Sequence, residues 1–566
     1  MKKILLPLFL AFLSLQAIAQ ISFTPNPQMP LPDNVFFYMS TDTGYEGRFT
    51  FLRPVWFIYP DGPCTREAAE ALVDRMGLND TLKDYVSMVA VLGPVNGKSY
   101  DKTADFAVYE TLLNKMRVFT NLKVIGMGEG ATFVSEAIAP VASEVAGIVC
   151  IGGKAARKTE GSSTVPAYLA GKDAAKAAGA YITRNKAVPV EKGKALKVYK
   201  NAAEPLLQVI VNTDRNPDLR QTIADAWERL LSVNYRCSNL GHTSYMGASL
   251  GQYGDYELEP YLMWERIGME RIKMEKSLCA YNGKEEKYLW YEYIPSCIKD
   301  APERSVPLVI LLHGHNNDPR TQAETSGFVE LGASEGFFVA ELEWQGKPGY
   351  DYMGDHGIEA TVREILREHP QLDPSRVYAE GLSAGGFCAT ALGITKSHLF
   401  AAVGAHSGGI FSDTLNLGFP FMNPVSLRSA ALQNSGKVLM PYFSITGTVD
   451  DAVPFVRPDL PQGEMISGAW RLYQQYNGLP VSGPTDLEAY PVFGLPLQGR
   501  RRIETPKGHA METGDINDAD GRPVIRVVAV ENFGHWNFVP GAREMWEFFK
   551  LWRRDPLTLE SRYSLD

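Results

Sequence analysis

Residues 377–392 read VYAEGLSAGGFCATAL, and they join an apolar strand candidate to an apolar helix candidate through the turn Gly381-Leu382-Ser383-Ala384-Gly385. A G-x-S-x-G turn between a strand and a helix is typical of the nucleophile elbow, which holds a serine in a strained conformation with its hydroxyl exposed. The two glycines supply the room that the close approach of strand and helix requires. We therefore predict that Ser383 is a catalytic nucleophile, the alternative being a serine in an ordinary glycine-rich turn.

A serine nucleophile needs a base, and the base needs an acid that orients it. The segment SITGTVDDAVP presents Asp450 and Asp451 where an apolar strand candidate ends, and either carboxylate could hold an imidazole. Two histidines follow this segment. His535, in ENFGHWNF after the last strand candidate, is the predicted base, and His509, in KGHAMETG, is the alternative.

An oxyanion hole needs two main-chain N–H groups that point at the developing negative charge. We expect one from Ala384, directly after the nucleophile, and the other from His315, in the loop LHGHN after the first central strand. Trp344 and Trp536 are candidate substrate-binding residues. Their alternative role is core packing, because large aromatic side chains are more often buried than in contact with ligands.

Strand and helix candidates alternate along the chain, among them a helix candidate over residues 321–335, which predicts an α/β fold with a mostly parallel sheet covered on both faces. The first half follows a similar rhythm, so we predict an internal duplication. The proposed equivalent segments are PVWFIYPDGP and LVILLHGHNN, SMVAVLGPVNG and FFVAELEWQG, LKVIGMGEGATF and RVYAEGLSAGGF, AGIVCIGG and AAVGAHSGG, LLQVIVNTDRNPD and YFSITGTVDDAVP, and NLGHTSY and NFGHWNF. In this correspondence Gly128 takes the place of Ser383, and a glycine has no nucleophile.

The chain is thus divided into residues 1–19, 20–275 and 276–566, with a polar junction between Ile272 and Lys287. Residues 1–19 contain Lys2, Lys3, a short apolar run and an A-x-A site, which is typical of a secretory signal peptide. We expect a secreted or periplasmic protein without stable membrane insertion, since the apolar run is short for a bilayer span.

Composition excludes some partners and leaves one disulfide open. The formal net charge of −9 argues against nucleic acid, because phosphate binding needs a basic face. No CxxC, HExxH or EF-hand pattern occurs, so we predict no metal and no cofactor. Cys279 and Cys297 could form a disulfide in an oxidising compartment, but their spacing does not decide it.

The motifs together resemble the polyhydroxybutyrate-depolymerase-like esterases, a grouping of α/β-hydrolases that includes feruloyl and acetylxylan esterases of carbohydrate esterase family one type. The resemblance rests on LLHGH, GLSAGG, FAAVGAHSGG, GTVDDAVP and GHW, and it covers about residues 289–552. In that family the pattern GTxDxxVP places the acid at the position of Asp450. The loop residue that matches His315 is an oxyanion donor.

The resemblance implies an α/β-hydrolase fold in the second half, preceded by a degenerate, non-catalytic domain of the same kind. It implies hydrolysis of carboxylic esters through an acyl-enzyme, with feruloyl or acetyl groups on plant polysaccharides as expected substrates. Two alternatives stay open: a serine peptidase of the same fold, and a non-catalytic carbohydrate-binding protein. The oligomeric state does not follow from the sequence.

Overall fold

The computed structural model of the chain describes most residues after the N-terminal segment. The described ranges are 31–39, 54–81, 87–116, 121–141, 143–154, 163–238, 256–261, 264–281, 283–317, 319–412, 418–450, 452–459, 463–505 and 509–565. The predicted signal peptide, Asp451 and the segment NLGHTSY lie outside these ranges.

The strands of the first half are β1 (Val35–Met39), β2 (Val55–Tyr59), β3 (Met88–Leu92), β4 (Leu122–Met127), β5 (Val145–Ile151), β6 (Ala167–Ala170), β7 (Val188–Lys192), β8 (Leu196–Lys200), β9 (Gln208–Asn212), β10 (Asn234–Ser238) and β11 (Tyr256–Pro260). Its helices are α1 (Arg66–Arg75), α2 (Leu78–Thr81), α3 (Ala104–Met116), α4 (Glu129–Phe133), α5 (Ala174–Arg184) and α6 (Leu219–Ala226).

The strands of the second half are β12 (Met269–Tyr281), β13 (Lys284–Pro295), β14 (Val306–Leu312), β15 (Phe338–Leu342), β16 (Leu372–Leu382), β17 (Ala402–His406), β18 (Tyr442–Gly447), β19 (Gln498–Ile503), β20 (Met511–Asn517), β21 (Pro523–Val530), β22 (Trp552–Arg554) and β23 (Ser561–Tyr563). Its helices are α7 (Pro319–Thr325), α8 (Phe328–Glu335), α9 (Gly354–Glu368), α10 (Ala384–Thr395), α11 (Pro424–Asn434), α12 (Met465–Tyr476) and α13 (Val539–Phe549).

Two large sheets organise these elements, and nine strands of each follow the same order. The first sheet runs β1-β3-β2-β4-β5-β6-β9-β8-β7, and the second runs β13-β15-β14-β16-β17-β18-β21-β20-β19, with β12 added beside β13. In both sets of nine strands, the first strand is antiparallel to the second, and the second to the seventh are parallel to one another. The eighth and the ninth strands are each antiparallel to the strand before them. The predicted α/β class, with an α/β-hydrolase fold in the second half, is confirmed.

The shared strand order corrects part of the predicted correspondence between the halves. β9, in LLQVIVNTD, occupies the position of β21 and not the predicted position of β18. The four-residue strand β6 occupies the position of β18. The segment that follows β9, residues 213–233, contains no histidine. The AYLA strand, residues 167–170, is apolar and buried, but four residues are too few to distinguish a strand from a helix segment by pattern.

Both faces of the first sheet are covered, as the apolar strands predict. Val55, Phe57 and Tyr59 of β2 pack into one hydrophobic cluster, whereas Trp56 and Ile58 pack into another. This alternation follows from the two-residue period of a strand. In the second half a single large cluster contains the buried residues of all the central strands.

Two predicted boundaries differ in the structure. The predicted junction at 275/276 falls inside β12, a 13-residue strand that pairs with β13 in the second sheet. The second sheet therefore begins at Met269, and a division between Tyr261 and Met269 fits the strands better. The helix predicted over residues 321–335 is two helices, because Gly327 between them takes a φ of 86°.

The two candidate disulfide cysteines are free and exposed. Cys279 lies opposite Glu285 near the turn of the β12–β13 hairpin, whereas Cys297 follows the far end of β13. A disulfide needs two Cα atoms about 4.4–6.8 Å apart, so this hairpin keeps the two thiols apart. Within the described part of the chain, no helix is long and apolar enough to cross a membrane.

Candidate active site

Ser383 lies in the turn between β16 and α10, with φ 54° and ψ −121°. Its N–H donates to the carbonyl oxygen of His406 on the neighbouring strand β17 at 2.9 Å. A Cβ atom on Gly385 would collide with the carbonyl oxygen of Leu312, and one on Gly381 would collide with Gly385. The two glycines of the motif are therefore required by contact, as the sequence predicts.

The predicted acid and base form a buried pair. Oδ2 of Asp450 lies 2.8 Å from Nδ1 of His535, and both side chains have an exposed fraction of 0%. Oδ1 of Asp450 accepts from the N–H groups of Ala452 and Val453 at 3.0 and 2.8 Å. The main chain thus fixes the carboxylate, which leaves one oxygen to orient the imidazole.

Sheet topology explains how residues so far apart in sequence meet. Strands β16, β17, β18 and β21 are neighbours and parallel, so Ser383, Asp450 and His535 all follow the carboxyl ends of strands at one sheet edge. This edge is where ligands bind in open α/β sheets.

The loops that carry Asp450 and His535 are hydrogen-bonded to each other. The N–H groups of Thr448 and Val449 donate to the carbonyls of Val530 and Phe533 at 2.9 and 3.0 Å, and Asn532 N–H donates to the Thr448 hydroxyl at 2.9 Å. A Cβ atom on Gly447 would collide with the carbonyl of Phe533. The glycine of GTVD is therefore needed for the two loops to approach.

The loop that contains His315 adjoins the elbow, since a Cβ atom on Gly314 would lie 3.6 Å from the Cβ of Ser383. Gln345 holds this loop: its Nε2 donates to the Gly314 carbonyl at 2.9 Å, and its Oε1 accepts from Asn316 N–H at 2.9 Å. His315 is exposed, whereas Ala384 is buried. Their roles as oxyanion donors stay predictions.

The two predicted substrate-binding tryptophans lie in the interior. Trp344 is 0% exposed and donates from Nε1 to the carbonyl of His313 at 3.0 Å, which supports the same loop as Gln345. Trp536 is 1% exposed. Neither ring presents a surface to a substrate in this conformation, so the alternative of core packing describes them better.

His509, the alternative base, lies elsewhere: its Nδ1–H donates to the carbonyl of Glu531 at 2.8 Å, and its ring packs edge-on against Phe533 and Phe538. Of the two histidines, His535 is the one hydrogen-bonded to Asp450.

His406 is hydrogen-bonded both to Ser383 and to the loop that carries His535, here called the base loop. The sequence did not reveal this role. Its carbonyl accepts from Ser383, and its Nε2 accepts from the N–H of Phe538 at 3.3 Å. Burial, and then the charge of nearby His535, lower the pKa of His406 to about 3. His406 is therefore neutral near pH 7 and can act as an acceptor at Nε2.

A buried polar network holds Asn537, which lies in the base loop. Asn537 Nδ2 donates to the side-chain oxygens of Gln322 and Thr325, both at 2.9 Å. Gln322 Nε2 donates in turn to both carboxyl oxygens of Glu380 at 3.2 Å. Burial raises the pKa of Glu380 to about 8, so this carboxyl is largely protonated at pH 7. These contacts join three distant segments, around Asn537, in α7 and in β16, and have no local sequence signal.

The first half has the same turn without the hydroxyl. Gly128 caps α4 with φ 51° and ψ −113°, and its N–H donates to the carbonyl of Ile151 on β5 at 3.0 Å. The carboxylate of Asp61 lies where a side chain on Gly128 would be, and it accepts from the N–H of Glu129 at 2.7 Å. In the predicted correspondence Glu129 takes the place of Ala384, and its N–H group already donates to Asp61.

Comparison with known proteins finds similarity for part of the second half. Residues 291–454 match the family model of the esterase PHB depolymerases. Poly(3-hydroxyalkanoate) depolymerase C of Paucimonas lemoignei is 27% identical over 150 residues, which are 24% of this chain and 35% of that protein. The chain thus matches about a third of the length of this curated relative, 35%.

Solved structures show lower similarity. The acetyl xylan esterase from Aspergillus awamori is 14% identical with a TM-score of 0.33, over 50% of this chain and 99% of that one. A ferulic acid esterase is 17% identical with a TM-score of 0.28, over 38% and 88% of the two chains. The acylaminoacyl peptidase of Pyrococcus horikoshii is 16% identical with a TM-score of 0.27, over 39% of each chain. Residues 291–454 are thus similar to the PHB-depolymerase esterases, and the chain extends well beyond that match.

Proposed function

We propose that the protein is a serine esterase that hydrolyses carboxylic esters at Ser383 through an acyl-enzyme. The observation that carries this proposal is the buried hydrogen bond between Asp450 and His535, at the sheet edge where the Ser383 turn also lies. The match of residues 291–454 to an esterase family supports it.

In the first half-reaction the Ser383 hydroxyl attacks the ester carbonyl while Nε2 of His535 takes its proton. Asp450 stabilises the resulting imidazolium through Nδ1–H. The main-chain N–H groups of Ala384 and His315 bind the oxyanion. His535 then returns the proton to the leaving alcohol, and the acyl group stays on Ser383.

The second half-reaction repeats these steps with water. His535 removes a proton from the water, which attacks the acyl-enzyme, and the acid leaves as Ser383 regains its proton. No cofactor or metal takes part in this scheme.

The proposed substrates are feruloyl or acetyl esters of plant polysaccharides, and the proposed location is outside the cytoplasm, after removal of residues 1–19. The resemblance of the sequence motifs supports the substrates, and the A-x-A site supports export. We further propose that the first half, up to the start of the second sheet, is a non-catalytic copy of the same fold. Its shared strand order and the glycine at position 128 support this.

Labelling with a fluorophosphonate and hydrolysis of feruloylated, acetylated arabinoxylan fragments, with Ser383→Ala alongside, test the proposal. We expect one labelled site, lost in the variant, together with release of ferulate or acetate. Absence of labelling in the wild type would contradict a serine hydrolase and favour a binding protein. Labelling with cleavage of a peptide amide but of no ester would favour the peptidase alternative.

A further inference from the structure

The N–H of His315, a proposed oxyanion donor, shares one peptide group with the carbonyl of Gly314. This peptide is trans, as are all peptides between the described residues. In a planar trans peptide the N–H and the C=O point in opposite directions. Any contact that fixes the Gly314 carbonyl therefore also fixes the direction of the His315 N–H.

Among the described residues, three groups contact the oxygen of this carbonyl. Nε2 of Gln345 donates to it at 2.9 Å, the N–H of Asn317 donates at 3.2 Å, and Nδ1 of His313 lies 2.8 Å away. His313 and Asn317 belong to the same loop as Gly314 and would move with it. Gln345 follows strand β15 instead, so its contact ties the loop to the sheet.

The second contact of the same carboxamide fixes the next peptide group. Oε1 of Gln345 accepts from the N–H of Asn316 at 2.9 Å, and this N–H shares its peptide with the carbonyl of His315. With the carboxamide turned over, oxygen would face oxygen and N–H would face N–H, so one orientation satisfies both contacts. A single side chain thus holds both peptide groups that flank the Cα atom of His315.

The loop itself offers little resistance to rotation of the peptide between Gly314 and His315. Gly314 has no Cβ atom and therefore allows a wide range of ψ. Asn316 takes a φ of 55°, a conformation that residues other than glycine adopt at a cost. Half a turn of the peptide would exchange the directions of its N–H and its carbonyl. A carbonyl oxygen in the place of the donor would repel an oxyanion.

Gln345 is itself anchored next to this loop. Its neighbour Trp344 is fully buried and donates from Nε1 to the carbonyl of His313 at 3.0 Å. The main chain at the root of the Gln345 side chain is therefore fixed relative to the peptides that the carboxamide contacts.

We propose that Gln345 is a positioning residue of the oxyanion hole, whose carboxamide keeps the His315 N–H directed at the carbonyl oxygen of the bound ester. The inference rests on the proposed esterase function, with His315 as a donor. Gln345 acts through His315 and not on the substrate. Its effect falls on the transition state, because charge on the ester oxygen develops only as Ser383 attacks.

Two variants remove the contacts to different extents. Gln345→Met has a side chain of similar length without either hydrogen bond. Gln345→Glu keeps an acceptor for the N–H of Asn316 but places a carboxylate oxygen against the Gly314 carbonyl, where the donor was. The control is Gln474→Met, because Gln474 is 3% exposed and its carboxamide also makes two hydrogen bonds, to the N–H and the hydroxyl of Ser482 at 3.0 and 2.8 Å.

The measurements separate effects on the transition state from effects on substrate binding. kcat/KM is determined with 4-nitrophenyl acetate, and inhibition constants are determined for 1,1,1-trifluoro-4-phenylbutan-2-one and for 4-phenylbutan-2-one. The Ser383 oxygen adds to the carbonyl carbon of the trifluoromethyl ketone, its proton passes to His535, and the carbonyl oxygen becomes an oxyanion. The parent ketone binds without this addition and reports on the ground state. Thermal unfolding checks that each variant is folded.

We expect Gln345→Met to lower kcat/KM by about 10- to 100-fold, which is less than the loss of about 10²- to 10³-fold that follows the deletion of an oxyanion donor. The inhibition constant of the trifluoromethyl ketone should rise by a similar factor, whereas that of the parent ketone should stay within about twofold of wild type. Gln345→Glu should lose at least as much activity as Gln345→Met. Gln474→Met should leave kcat/KM and both inhibition constants unchanged.

Two results would overturn the positioning role and leave the esterase intact. One is a folded Gln345→Met protein with the wild-type kcat/KM. The other is an equal loss of affinity for both ketones, which indicates a disturbed substrate site and not a misdirected donor. If Gln345→Met does not fold, Gln345→Glu decides by the same two criteria. No hydrolysis by the wild type, together with no fluorophosphonate labelling, would instead refute the proposed esterase function and the role of Gln345 with it.

Discussion

Asp450→Asn tests the proposed base directly, because it removes one charge and nearly preserves the shape of the side chain. An asparagine can keep its oxygen on the N–H groups of Ala452 and Val453, which the Asp450 Oδ1 now accepts at 3.0 and 2.8 Å. Its NH₂ group then faces Nδ1 of His535 and can only donate. The imidazole must therefore carry its proton on Nε2, where it cannot take a proton from Ser383.

The expected loss follows from this wrong tautomer. Replacing the acid of a Ser-His-Asp triad by asparagine lowers kcat by about 10⁴-fold in a protease in which the geometry stays intact. For Asp450→Asn we expect a fall in kcat/KM of about 10³- to 10⁴-fold, which corresponds to about 4 to 5.4 kcal/mol of lost transition-state stabilisation. The free energy of unfolding should fall less in Asp450→Asn than in Asp450→Ala, because the alanine variant also loses both main-chain hydrogen bonds.

The assay compares initial rates on 4-nitrophenyl acetate with melting temperatures for both variants. Asp459→Asn is the control, because Asp459 follows in the same loop, is 60% exposed and pairs with Arg457. A folded Asp450→Asn protein within tenfold of the wild-type rate would refute the assignment of the acid. In that case Asp451→Asn is the next variant to measure.

Three further predictions concern the elbow, a buried acid and the first half. Gly385→Ala should abolish activity and lower the melting temperature, because its Cβ would collide with the main chain of β14, whereas Gly483→Ala, with open space around it, should leave both unchanged. Between the ordinary carboxyl pKa and about 8, folded Glu380 holds a proton that the unfolded chain lacks, so stability falls as pH rises, by up to about 1.4 kcal/mol per unit. Urea unfolding at pH 5 and pH 8 should therefore show Glu380→Gln gaining stability over wild type at the higher pH, and an equal difference at both values would contradict this. Gly128→Ser, made in Ser383→Ala, should restore neither fluorophosphonate labelling nor ester hydrolysis; restored labelling would show that the first half can still activate a serine.

Local patterns predicted the parts of the molecule that depend on neighbouring residues. The elbow could be recognised because the strand, the small residues and the helix follow one another within 16 residues. The order of the motifs predicted His535 as the base and an acid at Asp450 or Asp451, and the resemblance to the esterases favoured Asp450.

Contacts between distant segments were not predictable from one sequence. Gln345 supports the loop of His315 and stands in no recognisable pattern. His406 lies in the motif FAAVGAHSGG, but the motif does not reveal that its ring accepts a hydrogen bond from the N–H of Phe538. The charged residues of the β12–β13 hairpin predict a polar junction, whereas the structure has two long paired strands there. The hairpin's Asn-Gly pair at 282–283 is a strong hairpin signal that could have identified it.

The turns at Ser383 and Gly128 also show how catalytic activity and folding stability can oppose each other within one chain. Ser383 and Gly128 have nearly equal backbone angles, with φ 54° and 51°, in a region that favours glycine. A serine held there costs roughly 1–3 kcal/mol of folding stability, and a glycine avoids most of that cost. Selection for stability alone would therefore favour glycine at both positions. Under the proposed mechanism the strain at Ser383 is retained for ester hydrolysis, and under the proposed duplication the glycine at position 128 avoids it.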